Sequence, residues 1–177
     1  MQISNITNDT KKIDAFYEFY KNYFPAPERD TLESMKKLSL NSATTKNWDY
    51  NIIEIKNKDS FVGGMIYDWF SDIDLLIIEY IFILENYRNQ SIAKQVISNL
   101  AHKKQNATIL IEVEKDAPSK DFWKKLEFSV ISTDYIQPKI SKNQKSFDGL
   151  ILMSNKNISD LQDVLQNHYW KYSFLND

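Results

Sequence analysis

The chain has 177 residues and a net charge of −2, with no cysteine, two histidines and only three glycines. With so few glycines, no GxGxxG or GxxxxGK[ST] nucleotide-binding motif and no GxSxG nucleophile elbow can be written. The lack of cysteine excludes thiol catalysis, disulfides and cysteine-based zinc sites. The balanced charge gives no reason to expect nucleic acid as a partner. The length suits one domain spanning residues 1–177.

The N-terminal residues lack the basic and apolar regions of a signal peptide. The longest apolar run, at 75–84, is too short to cross a bilayer. We therefore predict a cytoplasmic protein without a membrane partner, either a monomer or a homodimer.

Hydrophobic spacing predicts the first elements in chain order. A short strand at 2–7 precedes helices at 9–20 and 31–40, which the segment Pro25-Ala26-Pro27 separates. A polar loop follows at 41–48. Three consecutive strands are then predicted at 50–56, 61–70 and 74–84. The Gly63–Gly64 pair in the second of these strands allows a bulge or a close approach.

The apolar period then changes to that of a helix, predicted from 92 to about 105. The remaining predicted elements are a strand at 108–114, a helix at 119–126, strands at 128–136 and 149–153, and a final helix at 158–170. Hairpin strands followed by a strand–helix–strand unit indicate a mixed sheet of about seven strands.

The turn between the strand at 74–84 and the helix at 92–105 is the strongest candidate site. A helix N-terminus offers unpaired N–H groups to an anion. Ser91 is a good N-cap residue, and Arg88 and Lys94 add positive charge for a phosphate. The alternative is an ordinary capped helix flanked by two solvated cations.

Two segments in this region resemble one known family. The stretch Arg88-Asn89-Gln90-Ser91-Ile92-Ala93 resembles the acetyl-CoA-binding motif [QR]-x-x-G-x-[GA] of the GNAT N-acetyltransferase superfamily. Residues 116–128 are similar to the family's downstream motif N-x-x-A-x-x-F-Y-x-x-x-G-F. Ser91 and Glu127 stand where the motifs have glycine, and Trp123 stands where tyrosine is frequent.

The resemblance implies a GNAT-like α/β fold. Its central mixed, mostly antiparallel sheet would be flanked by helices, with a splayed V between the fourth and fifth strands. It also implies acetyl-CoA as co-substrate and no metal. Main-chain groups of Ile81, Phe82 and Ile83 would bind pantetheine. The other implied cofactor-binding residues are Arg88, Asn89, Gln90, Ser91, Ile92, Ala93 and Lys94 at the pyrophosphate, and Asp116, Phe122 and Trp123 at the pantetheine and thiol end.

Glu79 is the best candidate for a catalytic base, because a carboxylate inside an apolar strand is costly unless it is paired or faces a cleft. Partial burial would raise its pKa. An ordinary paired strand carboxylate is the alternative. Glu112 is a second candidate base. Tyr135 is the candidate proton donor for the leaving thiolate, since an indole such as that of Trp123 cannot supply this proton.

The segment 16–48 would cover the acceptor site if the resemblance holds. Its aromatic residues, together with Glu18, Glu28 and Glu33, would suit a cationic amine. Three hypotheses follow: an N-acetyltransferase that acts on a primary amine by direct transfer, a catalytically inactive acyl-CoA-binding or sensor module, and an association domain without a cofactor.

Overall fold

The computed structural model describes residues 1–104, 107–138 and 146–173. Within them the chain forms a seven-stranded sheet in the order β1-β2-β3-β4-β5-β7-β6. The strands are β1 Gln2–Asn5, β2 Trp48–Asn57, β3 Ser60–Phe70, β4 Leu75–Ile83, β5 Thr108–Glu114, β6 Ser129–Ser132 and β7 Leu150–Ser154. All neighbouring strands are antiparallel except β4 and β5, which are parallel. The predicted mixed sheet of about seven strands is confirmed.

Helices cover both faces of this sheet. They are α1 Thr10–Tyr20, α2 Leu32–Ser42, α3 Ile92–Lys103 and α4 Ser119–Lys124, with a C-terminal segment of α5 Leu161–Val164, a π-helical turn Leu165–Tyr169 and α6 Trp170–Ser173. One apolar core joins the sheet to α1, α2 and the C-terminal segment. A second core joins the opposite face to α3 and α4. The candidate site residues divide between these two faces.

Local sequence accounts for the helix starts on the first face. The side chains of Asp9 and Thr31 accept hydrogen bonds from the main chain of the first turns of α1 and α2, as N-cap residues do. Ile13, Phe16 and Tyr20 are spaced by three or four residues and are all buried. The apolar stripe predicted for 9–20 is the buried face of α1.

Several element bounds differ from the predictions. Strand β1 ends at Asn5 rather than at residue 7, and α4 ends at Lys124 rather than at residue 126. The loop predicted at 41–48 is shorter in the structure, because α2 continues to Ser42 and β2 begins at Trp48. The strand predicted at 128–136 ends at Ser132. Among the described residues that follow, Gln137 and Phe147 form an isolated antiparallel bridge. The last helix begins at Leu161, where Asp160 caps it. The predicted end of α3 near residue 105 lies outside the described residues.

The C-terminal aromatic residues pack on the sheet. Tyr169 is buried, and the ring of Tyr172 stacks on Trp48 with centroids 5.3 Å apart. These two residues of the aromatic stretch 169–174 belong to the first core. Phe174, also part of that segment, lies outside the described residues.

Candidate active site

The sheet opens between β4 and β5. These strands pair over only four residue pairs, from Leu75↔Thr108 to Ile78↔Ile111. Beyond them, β4 continues to Ile83 against β3, and β5 continues to Glu114 against β7. Residues 79–83 therefore have no partner on the β5 side. The splayed V predicted between the fourth and fifth strands is present.

The alternation of β4 decides which main-chain groups face this opening. The Leu84 N–H donates to the Val62 carbonyl at 2.9 Å. In an antiparallel pair every second residue points to the same neighbour, so Phe82 also turns its main chain towards β3. Ile81 and Ile83 turn theirs towards the opening. Of the three residues predicted to bind pantetheine through the main chain, the geometry therefore suits Ile81 and Ile83 and not Phe82.

Arg88 lies at the mouth of this opening. Its Nε donates to the Ile83 carbonyl at 3.1 Å, and its guanidinium lies over the Tyr23 ring, 5.7 Å from the centroid. Arg88 and Tyr23 line a cleft of about 630 Å³ between the end of α1 and the β4–α3 loop. The predicted phosphate-binding arginine thus caps one of the main-chain groups that the opening exposes.

The β4–α3 loop turns through residues with positive φ. Asn89 has φ 61° and Ser91 has φ 59°, both in the left-handed region that favours glycine. Ser91 is the N-cap residue of α3, as predicted, but its side chain makes no capping hydrogen bond. The first turn of α3 starts directly after it, with Ile92 and Ala93 half-buried and Lys94 exposed.

The downstream motif lies on the α3 side of the sheet. Trp123 is 6% exposed, with its ring 5.1 Å from those of both Phe122 and Phe128. Phe122 is half-buried and Asp116 is exposed. Glu127, the second glycine replacement, has φ 67°. The indole therefore belongs to the second core, and Phe122 is the more accessible of the two rings.

A β-bulge places Glu79 at the point where the sheet opens. Ile66 pairs with Tyr80 and Tyr67 with Ile78, so Glu79 is the extra residue of β4. The bulge reverses the alternation: Leu75 and Ile77 share a core with Tyr80 and Phe82. Ile81 and Ile83 lie on the opposite face. Although odd-numbered residues of a regular strand share one face, Ile81 and Ile83 therefore do not continue the face of Leu75 and Ile77.

Four carboxyl groups meet on the face of the sheet that α1, α2 and the C-terminal segment cover. They form the carboxyl cluster, which consists of Asp30, Asp68, Glu79 and Glu112. Burial raises the pKa of Glu79 well above its usual range, and the charges of Asp68, Asp30 and Glu112 raise it further, in that order. Burial, and next the charge of Asp68, raises the pKa of Asp30 to about 7.

The two inner residues of the cluster, Asp68 and Asp30, are hydrogen-bonded to aromatic side chains. Asp68 is 0% exposed, and the Trp48 Nε1 donates to its Oδ1 at 2.8 Å. The Asp30 main-chain N–H donates to the Tyr20 hydroxyl at 3.1 Å. Glu79 and Glu112 remain partly exposed, so the cluster reaches the surface beside the opening of the sheet.

Glu112 is bound by several donors. The hydroxyl of Tyr135 donates to its Oε1, and Nε2 of Gln137 donates to Oε2 at 2.6 Å. Burial raises the pKa of Glu112 to about 7, although its hydrogen bonds with Tyr135, Gln137 and Tyr169 lower it in part. Trp170 donates from Nε1 to the Tyr135 hydroxyl at 3.4 Å. Tyr135 thus both contacts the C-terminal segment and holds a carboxyl of the cluster.

Sequence reasoning missed two members of the cluster. Asp68 is a single carboxylate in an aromatic and β-branched strand, the same signal that singled out Glu79, and it could have been found. Asp30 precedes α2 in a loop, and only the packing of α1 and α2 on the sheet brings it inside. Glu18, Glu28 and Glu33, which were expected to line the acceptor site, are exposed.

Two searches of the described residues concern other classes of site. No group of three His, Cys, Asp or Glu side chains in the described ranges is arranged to hold a metal ion. Across the same ranges, no helix has the length and apolar character that crossing a membrane requires.

Comparison with known proteins identifies similar families and folds. A model of the acetyltransferase (GNAT) family matches residues 13–128. No curated protein matches the sequence. A solved protein of Bacteroides thetaiotaomicron, described as an acetyltransferase from the GNAT family, is 20% identical over 98% of this chain and 99% of its own, with a TM-score of 0.75.

Two further solved structures share the fold. The ribosomal-protein-S18-alanine N-acetyltransferase from Escherichia coli is 15% identical over 90% of this chain and 97% of its own, with a TM-score of 0.58. The PaiA N-acetyltransferase from Thermoplasma acidophilum, solved in complex with coenzyme A, is 11% identical over 89% of this chain and 100% of its own, with a TM-score of 0.59. At such identities the likeness concerns the fold.

Proposed function

The chain belongs to the GNAT family of acetyltransferases, and from this premise we propose that it transfers an acetyl group from acetyl-CoA to a primary amine by direct transfer. The observation that carries the proposal is the position of Glu79. It lies on the bulge where β4 leaves β5, so a half-buried glutamate stands beside the unpaired main-chain edge of β4. A base and a binding edge for an extended ligand therefore meet at one point.

The residues around the opening suit acetyl-CoA. The main chain of Ile81 and Ile83 would hold the pantetheine arm as a neighbouring strand would. The first turn of α3, preceded by Arg88 and the left-handed Ser91, would hold the pyrophosphate. On the other side of the opening, the pantetheine and thiol end of the cofactor would be bordered by Asp116, Phe122 and Trp123. Acetyl-CoA supplies an activated thioester carbonyl.

Glu79 is the better base of the two candidates. Burial and the charges of the neighbouring carboxyl groups raise the pKa of Glu79 well above its usual range, which makes its carboxylate a stronger base than an exposed one. Glu112 already accepts hydrogen bonds from Tyr135 and Gln137, which leaves it less free to take a proton. Burial raises the pKa of the Tyr135 phenol far above its usual range, so this group keeps its proton. Tyr135 is the donor that we propose for the leaving thiolate.

Replacing Glu79 by Gln should lower turnover at least tenfold and leave the Kd for CoA nearly unchanged, because the amide keeps the shape but cannot accept the proton. Turnover is measured as release of free thiol with a panel of primary amines. Glu54→Gln, which removes a carboxylate paired with Lys56 on β2, is the matched control. Unchanged turnover in the Glu79 variant would remove this residue from the mechanism.

Replacing Arg88 by Ala should weaken CoA binding about tenfold or more, because a charged donor beside the phosphates is lost. Calorimetry with CoA measures the effect. Lys103→Ala, at the other end of α3, provides a matched loss of one positive charge and should bind CoA as the parent does. If Arg88→Ala also binds as tightly as the parent, the pyrophosphate assignment is wrong.

A second candidate function is that of an acyl-CoA-binding or sensor module without catalysis. The serine at position 91 and the buried indole of Trp123 favour it, because both depart from the family motifs. Tight CoA binding with no thiol release on any amine would support the sensor. If calorimetry detects no heat of binding with CoA, only the third hypothesis remains, that of an association domain without a cofactor.

A further inference from the structure

We propose that Asp68 is the positioning partner of Glu79: the two carboxyl groups share one proton, and Asp68 receives the proton of Glu79 when Glu79 takes one from the acceptor amine. The inference deepens the proposed function and rests on it for its catalytic part. The shared proton itself is a property of the protein alone.

The sheet geometry brings the two groups together. Asp68 pairs with Ile77 across β3 and β4, and Glu79 follows two residues later on the bulge. Both carboxyl groups lie on the face that α1 and α2 cover, and they form a hydrogen bond with each other. Two carboxyl groups in such contact are not both ionised, because the like charges repel at short range. One of the two therefore holds a proton.

The surroundings of Asp68 assign that proton to Glu79. Asp68 is 0% exposed, and the Trp48 Nε1 donates to its Oδ1 at 2.8 Å. An N–H donor favours the ionised form of a carboxyl group. Asp68 is thus the acceptor in the pair and Glu79 the donor. Trp48 fixes the inner carboxylate, while the partly exposed Glu79 faces the opening of the sheet.

The other groups near Glu79 act in the same direction. Asp30 from the loop before α2 and Glu112 from β5 add negative charge to that of Asp68. Glu79 also interacts electrostatically with four phenols, which lie on α1, β2, β4 and the C-terminal segment: Tyr20, Tyr50, Tyr80 and Tyr169. All of these groups are carboxyls or phenols. Each ionised neighbour opposes the loss of the shared proton.

The proton transfer balances within the pair. One N–H bond of the amine breaks and an O–H bond forms on Glu79, while the O–H bond that Glu79 already had breaks and a new one forms on Asp68. The nitrogen keeps the electron pair that attacks the thioester. The pair changes from one proton and a charge of −1 to two protons and no charge. It then returns the extra proton to water at the exposed side of Glu79.

The titration of the carboxyl carbons tests the shared proton without any turnover. The protein is labelled with ¹³C at the Asp and Glu carboxyl carbons, and Glu79→Gln and Asp68→Asn assign the two signals. In the parent, each of the two carbons should show the titration step of the other, as coupled groups do. In Asp68→Asn, which keeps an acceptor for Trp48, the midpoint of Glu79 should fall by about one pH unit or more.

Either of two results overturns the proposal: independent single-step curves for Glu79 and Asp68 in the parent, or a Glu79 midpoint that Asp68→Asn leaves unmoved. The parent titration decides even if the variant does not fold. In an active enzyme, Asp68→Asn should also change the acidic limb of the kcat/KM profile, because Asp68 no longer takes the second proton of the pair, while Asp49→Asn, at an exposed position of β2, should leave that limb in place. A protein without turnover would refute the catalytic part only.

Discussion

At the scale of single residues, the two glycine replacements have a common conformation. Ser91 and Glu127 both have positive φ, in the left-handed region that glycine adopts most readily. A residue with a Cβ carries a conformational cost of about 1–2 kcal/mol in the left-handed region. The sequence showed the substitutions, but it could not show that the backbone would tolerate them without rearranging.

Replacing Glu127 by Gly should therefore raise the free energy of unfolding by up to about 1 kcal/mol, because relief of the left-handed conformation exceeds the extra chain entropy of glycine, which is about 0.5–1 kcal/mol. Urea unfolding measures the change. Glu114→Gly in the extended backbone of β5 is the control and should destabilise. A Glu127→Gly protein less stable than its parent would contradict the argument.

Other residues of the site differ in how well the sequence reveals them. Glu79 is visible because it is a lone charge in an apolar run. The partnership of Glu79 with Asp68 depends on the pairing of two strands. Asp30 joins them only through the packing of α1 and α2 on the sheet. Local pattern thus finds the base, whereas the charges that raise its pKa require the tertiary structure.

At the scale of elements, β3 and β4 were predicted almost to the residue, but the bulge in β4 was not. Both faces of β4 are apolar, so no change in the hydrophobic pattern marks the extra residue. The Gly63–Gly64 pair was read correctly as a close approach. A Cβ on Gly64 would collide with the Phe16 ring, and one on Gly63 would collide with the Phe82 carbonyl.

Replacing Gly64 by Ala should lower the free energy of unfolding by about 1–3 kcal/mol, because Phe16 is 1% exposed and the core has no room for the methyl group. Denaturant unfolding measures it. Gly149→Ala provides the comparison: its Cβ would meet only Phe147, a ring that is 46% exposed and free to turn away. Equal losses for the two variants would show that burial of the neighbour does not decide the cost.

At the scale of the whole molecule, the order of elements and the class of sheet follow from hydrophobic periodicity. The placement of the C-terminal segment does not. It packs on the same face as α1 and α2 and brings Tyr169 and Trp170 towards Glu112 and Tyr135. The C-terminal segment thereby helps to bury the carboxyl cluster. The amphipathic pattern at 158–170 predicts only that one side of this helix is covered.

The buried cluster makes the stability of the molecule depend on pH. Asp30 and Glu112 have folded-state pKa values of about 7, against 3.8 and 4.5 as ordinary values. Between these values the folded state holds protons that the unfolded chain releases. The free energy of unfolding therefore falls as pH rises from about 4 through 7. Glu79, whose pKa is also raised, contributes in the same direction.

We expect the urea midpoint to be lower at pH 8 than at pH 5 for this reason. Asp30→Asn should flatten the dependence, since an amide has no proton to lose. Asp49→Asn, at an exposed position, should keep the parent's dependence. A parent protein as stable at pH 8 as at pH 5 would show that the cluster does not hold its protons when folded.

The short contact between β4 and β5 has a mechanical consequence. Four strands, β1 to β4, lie on one side of it and three, β5 to β7, on the other, with only four parallel residue pairs between them. The sheet therefore consists of two parts that are joined by a short paired region. A ligand that binds both edges of the V would connect the two parts of the sheet at a second place. The two parts would then unfold together rather than one after the other.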